Sequence, residues 1–425
     1  MTKGKKRTWM IAISILSALL LLLLAFGLSL FSTLKDTLEQ VTTPKEESAV
    51  YSVYVRSEDP AAHLSQTAGY PYGVHPTAAG PADLEQALQH LEEALGARPQ
   101  ITSYDSPFSL MDALLQQKSR AVLLNEALFE SIAETEGYEW VRDGVRKLES
   151  YAVEEPGEEG EPVDTPQEVP ESFVVYISGI DTYGGISARS RSDVNILAVV
   201  NTKTRQVLTL ATPRDFYVDF AATGGAKDKL THAGIYGVAA SIDALERLYG
   251  VRVDYYLRIN FSGFVQVIDA LGGVDVYSDY AFTVQGIREY QAGYNHLTGL
   301  EALAFARERY SFSNGDYQRA KNQMEVIKAV IQKCASPALL LNYRSVMEGI
   351  AGSFETNMPQ GQIASLVRMQ LFDNRPWDVS SFTAQGTSAY EVTYSMPGRR
   401  LYVIHPDPQS VQEAKDRIAQ VQNAG

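Results

Sequence analysis

The stretch "RERYSFSNGDYQRAKNQ", from Arg307 to Gln323, gathers three arginines and Lys321 in a chain whose formal net charge is −14. Arg307 and Arg309 are two positions apart, which sets them about 200° apart around a helix but on one side of an extended strand. A shared site therefore requires the helical run "GLEALAFA" to end near Ala306. Arg319 and Gln323 are four apart and share one face of a following helix, close to its N-terminus. Unpaired N–H groups and the positive end of the helix dipole suit an anion there. Guanidinium forks add bidentate bonds to phosphate oxygens at fixed geometry. The cluster reads as a phosphate cradle, against the plainer alternative of a solvated face on which Glu308 and Asp316 pair with the arginines.

Two aspartates extend the pattern. Asp181 closes the apolar run "FVVYISGID", and Asp193 in "RSDVN" precedes the next run, "NILAVVN", so both are expected at one sheet edge. Mg²⁺ is commonly held by one or two carboxylates plus substrate phosphate oxygens, which this pair could supply; a turn or capping role is the alternative for either. Arg214 and Asp215 in "TPRD" and Lys229 in "DKLTHAG" add charge in loops after strands. His232 lies in the latter, but the six histidines show no metal-ligand spacing, so a structural role is expected. Neither a G-x-S-x-G elbow nor a P-loop is present.

These residues need a scaffold. The 425 residues are 45% hydrophobic and 21% charged, globular composition sufficient for two or three domains. The acidic balance argues against a general nucleic-acid binder, so any anion site must be local. The single cysteine, Cys334, excludes an intrachain disulfide, a cysteine zinc site and a redox pair. After a basic tail, residues 1–8, the uncharged run 9–31 is long enough to cross a ~30 Å hydrocarbon core as a helix. Lysines and Arg7 on its N-terminal side place the tail in the cytoplasm and the body outside a cell membrane crossed once. A cleaved signal peptide is the rival, but its apolar region would be shorter.

An acidic, Pro/Gly-rich stretch at 151–171 reads as an exposed connector between two folded parts. Upstream, residues 50–150 carry Leu84, Leu88, Leu91 and Leu95 at helical spacing, a strand at 101–104, a helix at 107–117, the strand "AVLLN" and a helix from Glu126. That order predicts a small α/β accessory domain, separable from the rest by deletion. Downstream, 172–425, three apolar strands are followed by helices at 233–249 and 261–271 that would cover the sheet, a strand at "GVDV", and a longer helix to about 333 whose Ala320, Met324, Ile327 and Ile331 form an apolar stripe. The expected fold class is α/β: a mixed central β-sheet covered by helices, preceded by one transmembrane helix and the accessory domain.

The segments "SGID", "RSDVNILAVVN", "TPRDFYV", "DKLTHAGIYG", "DYYLRINFSGF", "DALGGVDV", "LTGLEALAFARERYS" and "GDYQRAKNQ", in this order, resemble the LytR-CpsA-Psr family of cell-wall glycopolymer ligases. "TYSMPGRRLYVIHPD" near the C-terminus is similar to the tail of capsule-type members. The resemblance implies a transferase that takes a glycan, capsular or teichoic-acid-like, from an undecaprenyl-pyrophosphate carrier and joins it to a peptidoglycan hydroxyl as a phosphodiester, with Mg²⁺ at the pyrophosphate. Carried across, it implies metal ligands at Asp181 and Asp193 and pyrophosphate contacts from Arg191 or Arg189, Arg214, Lys229, Arg307, Arg309, Arg319 and Gln323. Catalytic roles fall on Asp193, Arg214, Arg307 and Arg309. Many members read Arg-Gln-Gln where this chain has Asn322, Gln323 and Met324. The rival functions are a polyprenyl-pyrophosphate phosphatase using the same cations and a cell-envelope regulatory or binding protein.

Overall fold

The computed structural model describes residues 47–76, 81–154, 169–180, 186–313, 315–334, 354–373 and 375–425. The expected membrane span and Asp181 lie outside these. No helix among the described residues is long and apolar enough to cross a membrane.

The first folded part is a five-stranded sheet built from β1 (Ser48–Arg56), β2 (Pro71–Val74), β3 (Gln100–Ser103), β4 (Ala121–Asn125) and β5 (Val145–Glu154), in the order β3-β2-β4-β1-β5. β1 runs antiparallel to β4 and β5, whereas β2 lies parallel to β3 and β4. Side chains alternate between the faces of a strand. On one face Tyr51, Val53 and Val55 of β1 bury against Leu84, Leu88, Leu91 and Leu95 of helix Pro81–Leu95, so the leucine spacing marks the packed stripe. On the other face Tyr54 and Val122 meet Leu110, Met111 and Leu114 of helix Pro107–Leu115.

That second face is not closed by the first part alone. Ile235, Met396 and Leu401, all far downstream, belong to the same buried cluster. A polar seam runs beside it: Arg189 pairs with Asp83 at 3.2 Å with both side chains under 5% exposed, and Arg258 pairs with Glu47. The expected separable accessory domain is therefore corrected to a unit that shares a core with the rest of the chain. β5 also continues to Glu154, inside the stretch expected as connector.

The second part opens with β6 (Ser172–Ile180), β7 (Ser192–Asn201), β8 (Gln206–Ala211) and a short hairpin of β9 (Tyr217–Asp219) and β10 (Lys227–Lys229). β11 (Tyr255–Asn260) follows, then the satellite pairs β12 (Val274–Ser278) with β15 (Gly293–Leu297) and β13 (Phe282–Val284) with β14 (Arg288–Tyr290). β16 (Phe354–Thr356), β17 (Asp378–Thr383) and a hairpin of β18 (Gly386–Val392) and β19 (Arg400–Pro406) complete the strands. Six of them form one mixed sheet, β16-β11-β6-β7-β8-β17, parallel at β11–β6 and β8–β17 and antiparallel elsewhere.

Alternation gives this sheet two apolar faces. Val174, Tyr176, Leu197, Val199, Leu208 and Leu210 bury against helices Val238–Tyr249 and Pro408–Gln422. Ile177, Val194, Ile196 and Ala211 turn the other way and meet Ala320, Met324 and Ile327 of helix Gly315–Cys334. The helix expected at 233–249 is broken at Gly237, whose φ of +98° is costly for any residue with a Cβ. The break frees the N–H of Val238, which donates to the Glu47 carboxylate at 3.2 Å.

Candidate active site

The site forms where β7 begins and β8 and β10 end. β6 closes at Ile180, which pairs with Ser192, so the antiparallel register brings the end of one strand beside the start of the other. Arg191 and Asp193 flank Ser192. β8 stops at Ala211, and the turn Thr212–Pro213 swings Arg214 and Asp215 back across the start of β7, pinned by a bond from the Thr212 N–H to the Asn195 carbonyl at 2.9 Å. Lys229 ends β10, and Thr231 stands in the helical turn that follows.

The charges interleave. Arg214 donates from Nη1 to Asp193 Oδ1 at 3.0 Å, and the Thr231 hydroxyl donates to the same oxygen at 3.1 Å. Lys229 Nζ donates to Asp215 Oδ1 at 2.9 Å, and Arg214 Nε lies 3.7 Å from Asp215 Oδ2. Burial alone would raise the carboxyl of Asp193, but the guanidinium groups of Arg191 and Arg214 outweigh it and hold the group well below the usual carboxylate range. Asp215 is lowered likewise: desolvation opposes, and Lys229 and Arg214 prevail. Burial disfavours the charge on Arg214, yet Asp193, Asp215 and Glu134 raise its pKa, so the guanidinium is permanently cationic. The cations are thus held in place by anions that stay ionised at any physiological pH.

Two cavities open on this array and share Arg214, Asp215 and Tyr402. The inner one, about 450 Å³, is bounded by Asp193, Arg319 and Gln323 together with Ile196, Ala211 and Ala320 of the apolar sheet face. The outer one, about 560 Å³, is bounded by Arg191, Lys229 and Arg309, by the first folded part at Glu134 and Arg142, and by the β18–β19 hairpin.

Of the residues expected at a site, Asp193, Arg191, Arg214, Lys229, Arg309, Arg319 and Gln323 line these two cavities. Arg307 lines neither; helix Gly299–Arg307 ends on it, one residue beyond the expected end, and its guanidinium lies 4.2 Å over the ring of Phe261. Glu308 is extended, with ψ of 130°, which turns the chain so that Arg309 departs from Arg307. Arg189, the alternative to Arg191, is committed to the buried pair with Asp83. Among the described residues no group of three or more His, Cys, Asp or Glu is placed to hold a metal ion.

Sequence reasoning missed Glu134. Its Oε2 accepts from Arg191 Nη1 at 3.0 Å and Arg214 Nη2 at 3.5 Å, although it sits in the other folded part. No local signal marks one glutamate among many in an acidic segment. Tyr390, Arg400 and Tyr402 also line the cavities without having been expected there, since they meet only through the β18–β19 hairpin and their spacing in sequence points to no ligand. His232 is buried as expected of a structural residue: Nδ1 is 2.6 Å from Asp228 and Nε2 3.3 Å from the Ser131 hydroxyl.

The fold is that of a mixed α/β protein with Arg191, Arg214 and Lys229 gathered at one edge of its sheet. Residues 143–413 match the model of the LytR_cpsA_psr family, and the chain belongs to that family. A Bacillus cereus protein named polyisoprenyl-teichoic acid–peptidoglycan teichoic acid transferase TagU is 37% identical over 194 residues, covering 45% of this chain and 62% of the relative. The Enterococcus faecalis protein of the same name is 33% identical over 190 residues, covering 44% and 62%. The chain thus spans less than two thirds of the length of these relatives. The crystal structure of Bacillus subtilis TagV shares the fold, with a TM-score of 0.50 and 24% identity over 60% of this chain and 98% of that one.

Proposed function

We propose that this chain is a transferase that moves a glycopolymer, capsular or teichoic-acid-like, from a polyprenyl-pyrophosphate carrier to a sugar hydroxyl of peptidoglycan. The observation that carries this is the junction of the two cavities at Arg214. There a diphosphate would meet Arg191, Arg214 and Lys229 at once, with Arg319 on one side and Arg309 on the other. Family membership and the names of the relatives support the same reading.

The acceptor hydroxyl oxygen attacks the glycan-side phosphorus, the bond from that phosphorus to the bridging oxygen breaks, and polyprenyl phosphate leaves, with the hydroxyl proton passing to the departing phosphate. Phosphoryl transfer of this kind depends on positioning and on charge neutralisation, which preorganised guanidinium groups supply without rearrangement. Asp193 and Asp215 are poor general bases, because a carboxylate whose pKa is lowered by neighbouring cations has little affinity for a proton. Their work is to fix the cations. Their hard, ionised oxygens also fit Mg²⁺, which binds through one or two carboxylates and substrate phosphates; Asp193, with Asp181, would hold it, and it would supply further charge neutralisation at the diphosphate. On this reading the uncharged run 9–31 anchors the chain and the site works outside the membrane.

Radiolabelled lipid-linked glycan incubated with the protein, with and without peptidoglycan, tests the proposal. Label appearing in peptidoglycan supports it. Release of free glycan in both samples would make the chain a phosphatase, and retention of intact lipid in both would make it a binding protein.

A further inference from the structure

The outer cavity is larger than a phosphate needs, and its far wall is aromatic. Tyr390 and Tyr402 are directly opposed in the β18–β19 register, so their side chains leave the same face of the hairpin, with ring centroids 6.0 Å apart. Their neighbour Leu401 points the opposite way and is buried in the core of the first folded part, which fixes the hairpin's rotation. Tyr390 is 61% exposed, and Tyr310 across the opening is 84% exposed. Arg309 and Glu139 add a guanidinium and a carboxylate to the same cavity, while the Arg400 guanidinium folds back onto the Tyr390 carbonyl and stiffens the hairpin. Large exposed rings beside a concave polar surface are costly to keep in water and mark binding sites. A pyranose ring matches this wall: its C–H face lies on an aromatic ring while its hydroxyls meet guanidinium and carboxylate groups.

Connectivity decides which sugar. In a polyprenyl-pyrophosphoryl glycan the lipid and the first sugar leave the diphosphate in opposite directions. The inner cavity includes Ile196, Ala211 and Ala320 of the apolar cluster in its lining, whereas the outer one is lined mainly by charged and polar side chains, so the lipid is assigned to the inner side. The outer cavity, on the other side of Arg214, then faces the sugar. We infer that the β18–β19 hairpin, with Tyr310 opposite, forms the subsite for the sugar attached to the diphosphate of the donor, and so reads the donor's glycan. This rests on the proposed polyprenyl-diphosphate reading, and the test separates the two.

Binding of bare polyprenyl diphosphate and of polyprenyl-diphosphoryl-N-acetylglucosamine is measured for the full-length protein in detergent, as wild type, Tyr390→Ala and Tyr390→Phe. The expected result is a loss of about tenfold in affinity for the sugar-bearing probe in Tyr390→Ala, recovery in Tyr390→Phe, and a change of less than twofold for the bare probe throughout. Equal losses for both probes, or none for either, overturn the sugar subsite. Unchanged donor binding with a raised KM for peptidoglycan also overturns it, by giving the wall to the acceptor. Failure of wild type to bind the bare probe overturns the diphosphate reading itself.

Discussion

Glu134 Oε2 lies 3.0 Å from Arg191 Nη1, across the boundary between the two folded parts. The carboxylate therefore occupies one of the cations that a diphosphate would use, and a ligand must displace it or share the guanidinium with it.

Replacing Glu134 with Gln removes that competition while keeping the shape. Arg191 is buried and Glu134 half-buried, and a pair that solvent still reaches on one side contributes on the order of 1 kcal/mol, so the expected gain in affinity for bare polyprenyl diphosphate is about three- to fivefold. Isothermal titration of wild type and variant measures it. Weaker binding in the variant would show instead that Glu134 orients Arg191 and Arg214 for the ligand.

Asp193→Asn removes the buried anion on Arg214 and leaves Arg191 and Arg214 bridged by Glu134 alone. Transfer of radiolabelled glycan is expected to fall by about a hundredfold or more, since a misplaced charge-stabilising group costs on that order. Circular dichroism should show a retained fold. Magnesium dependence is checked beside it: activity of chelator-treated wild type should return with Mg²⁺, and that of the variant should not.

The two arginines of the opening stretch are expected to differ. Arg309→Ala should weaken diphosphate binding by roughly ten- to a hundredfold, with Arg309→Lys recovering part of it, because an ammonium keeps the charge and loses the fork. Arg307, packed over Phe261 and outside both cavities, should cost less when truncated. Equal losses at the two positions would place Arg307 on the ligand as well.

Asp215 has a folded pKa below its unfolded value of about 3.9. A depressed carboxylate contributes stability that is fully present above the unfolded value and is lost as pH falls through the folded one. The difference in melting temperature between wild type and Asp215→Asn should hold constant from pH 8 down to about 5 and shrink only below about 4. A difference that decays between pH 7 and 5 would contradict the ion-pair geometry.

Much of this was readable from the chain. The stripe Ala320, Met324 and Ile327 does face the sheet, and the segments that became β6, β7 and β8 read as apolar runs because helices cover both faces of the sheet. The cations of "TPRD" and "DKLTHAG" converge because the β9–β10 hairpin folds back to set Lys229 opposite Tyr217, two residues after Asp215, and the Thr231 N–H donates to the Arg214 carbonyl. What stayed hidden depends on contacts between distant segments. Glu134 meets Arg191 only through tertiary packing, and no residue near it in sequence signals the encounter. Arg189 and Arg191 look alike in sequence, and what distinguishes them is Asp83, more than a hundred residues upstream, which takes Arg189 into a buried pair while Arg191 lines the outer cavity. β1 is the plainest omission: "SAVYSVYVR" alternates, but its role at the heart of a sheet appears only once β4 and β5 flank it.

The cluster that joins Tyr54, Leu110 and Met111 to Ile235, Met396 and Leu401 bears on how such chains can be rebuilt. A head that shares its interior with the body is not a portable module. Grafting the first 150 residues of a relative onto this chain would mate two surfaces shaped for other partners. Wedges and voids of a single methylene are felt in a close-packed interior, so a working chimera would have to carry the residues at 235, 396 and 401 along with the graft.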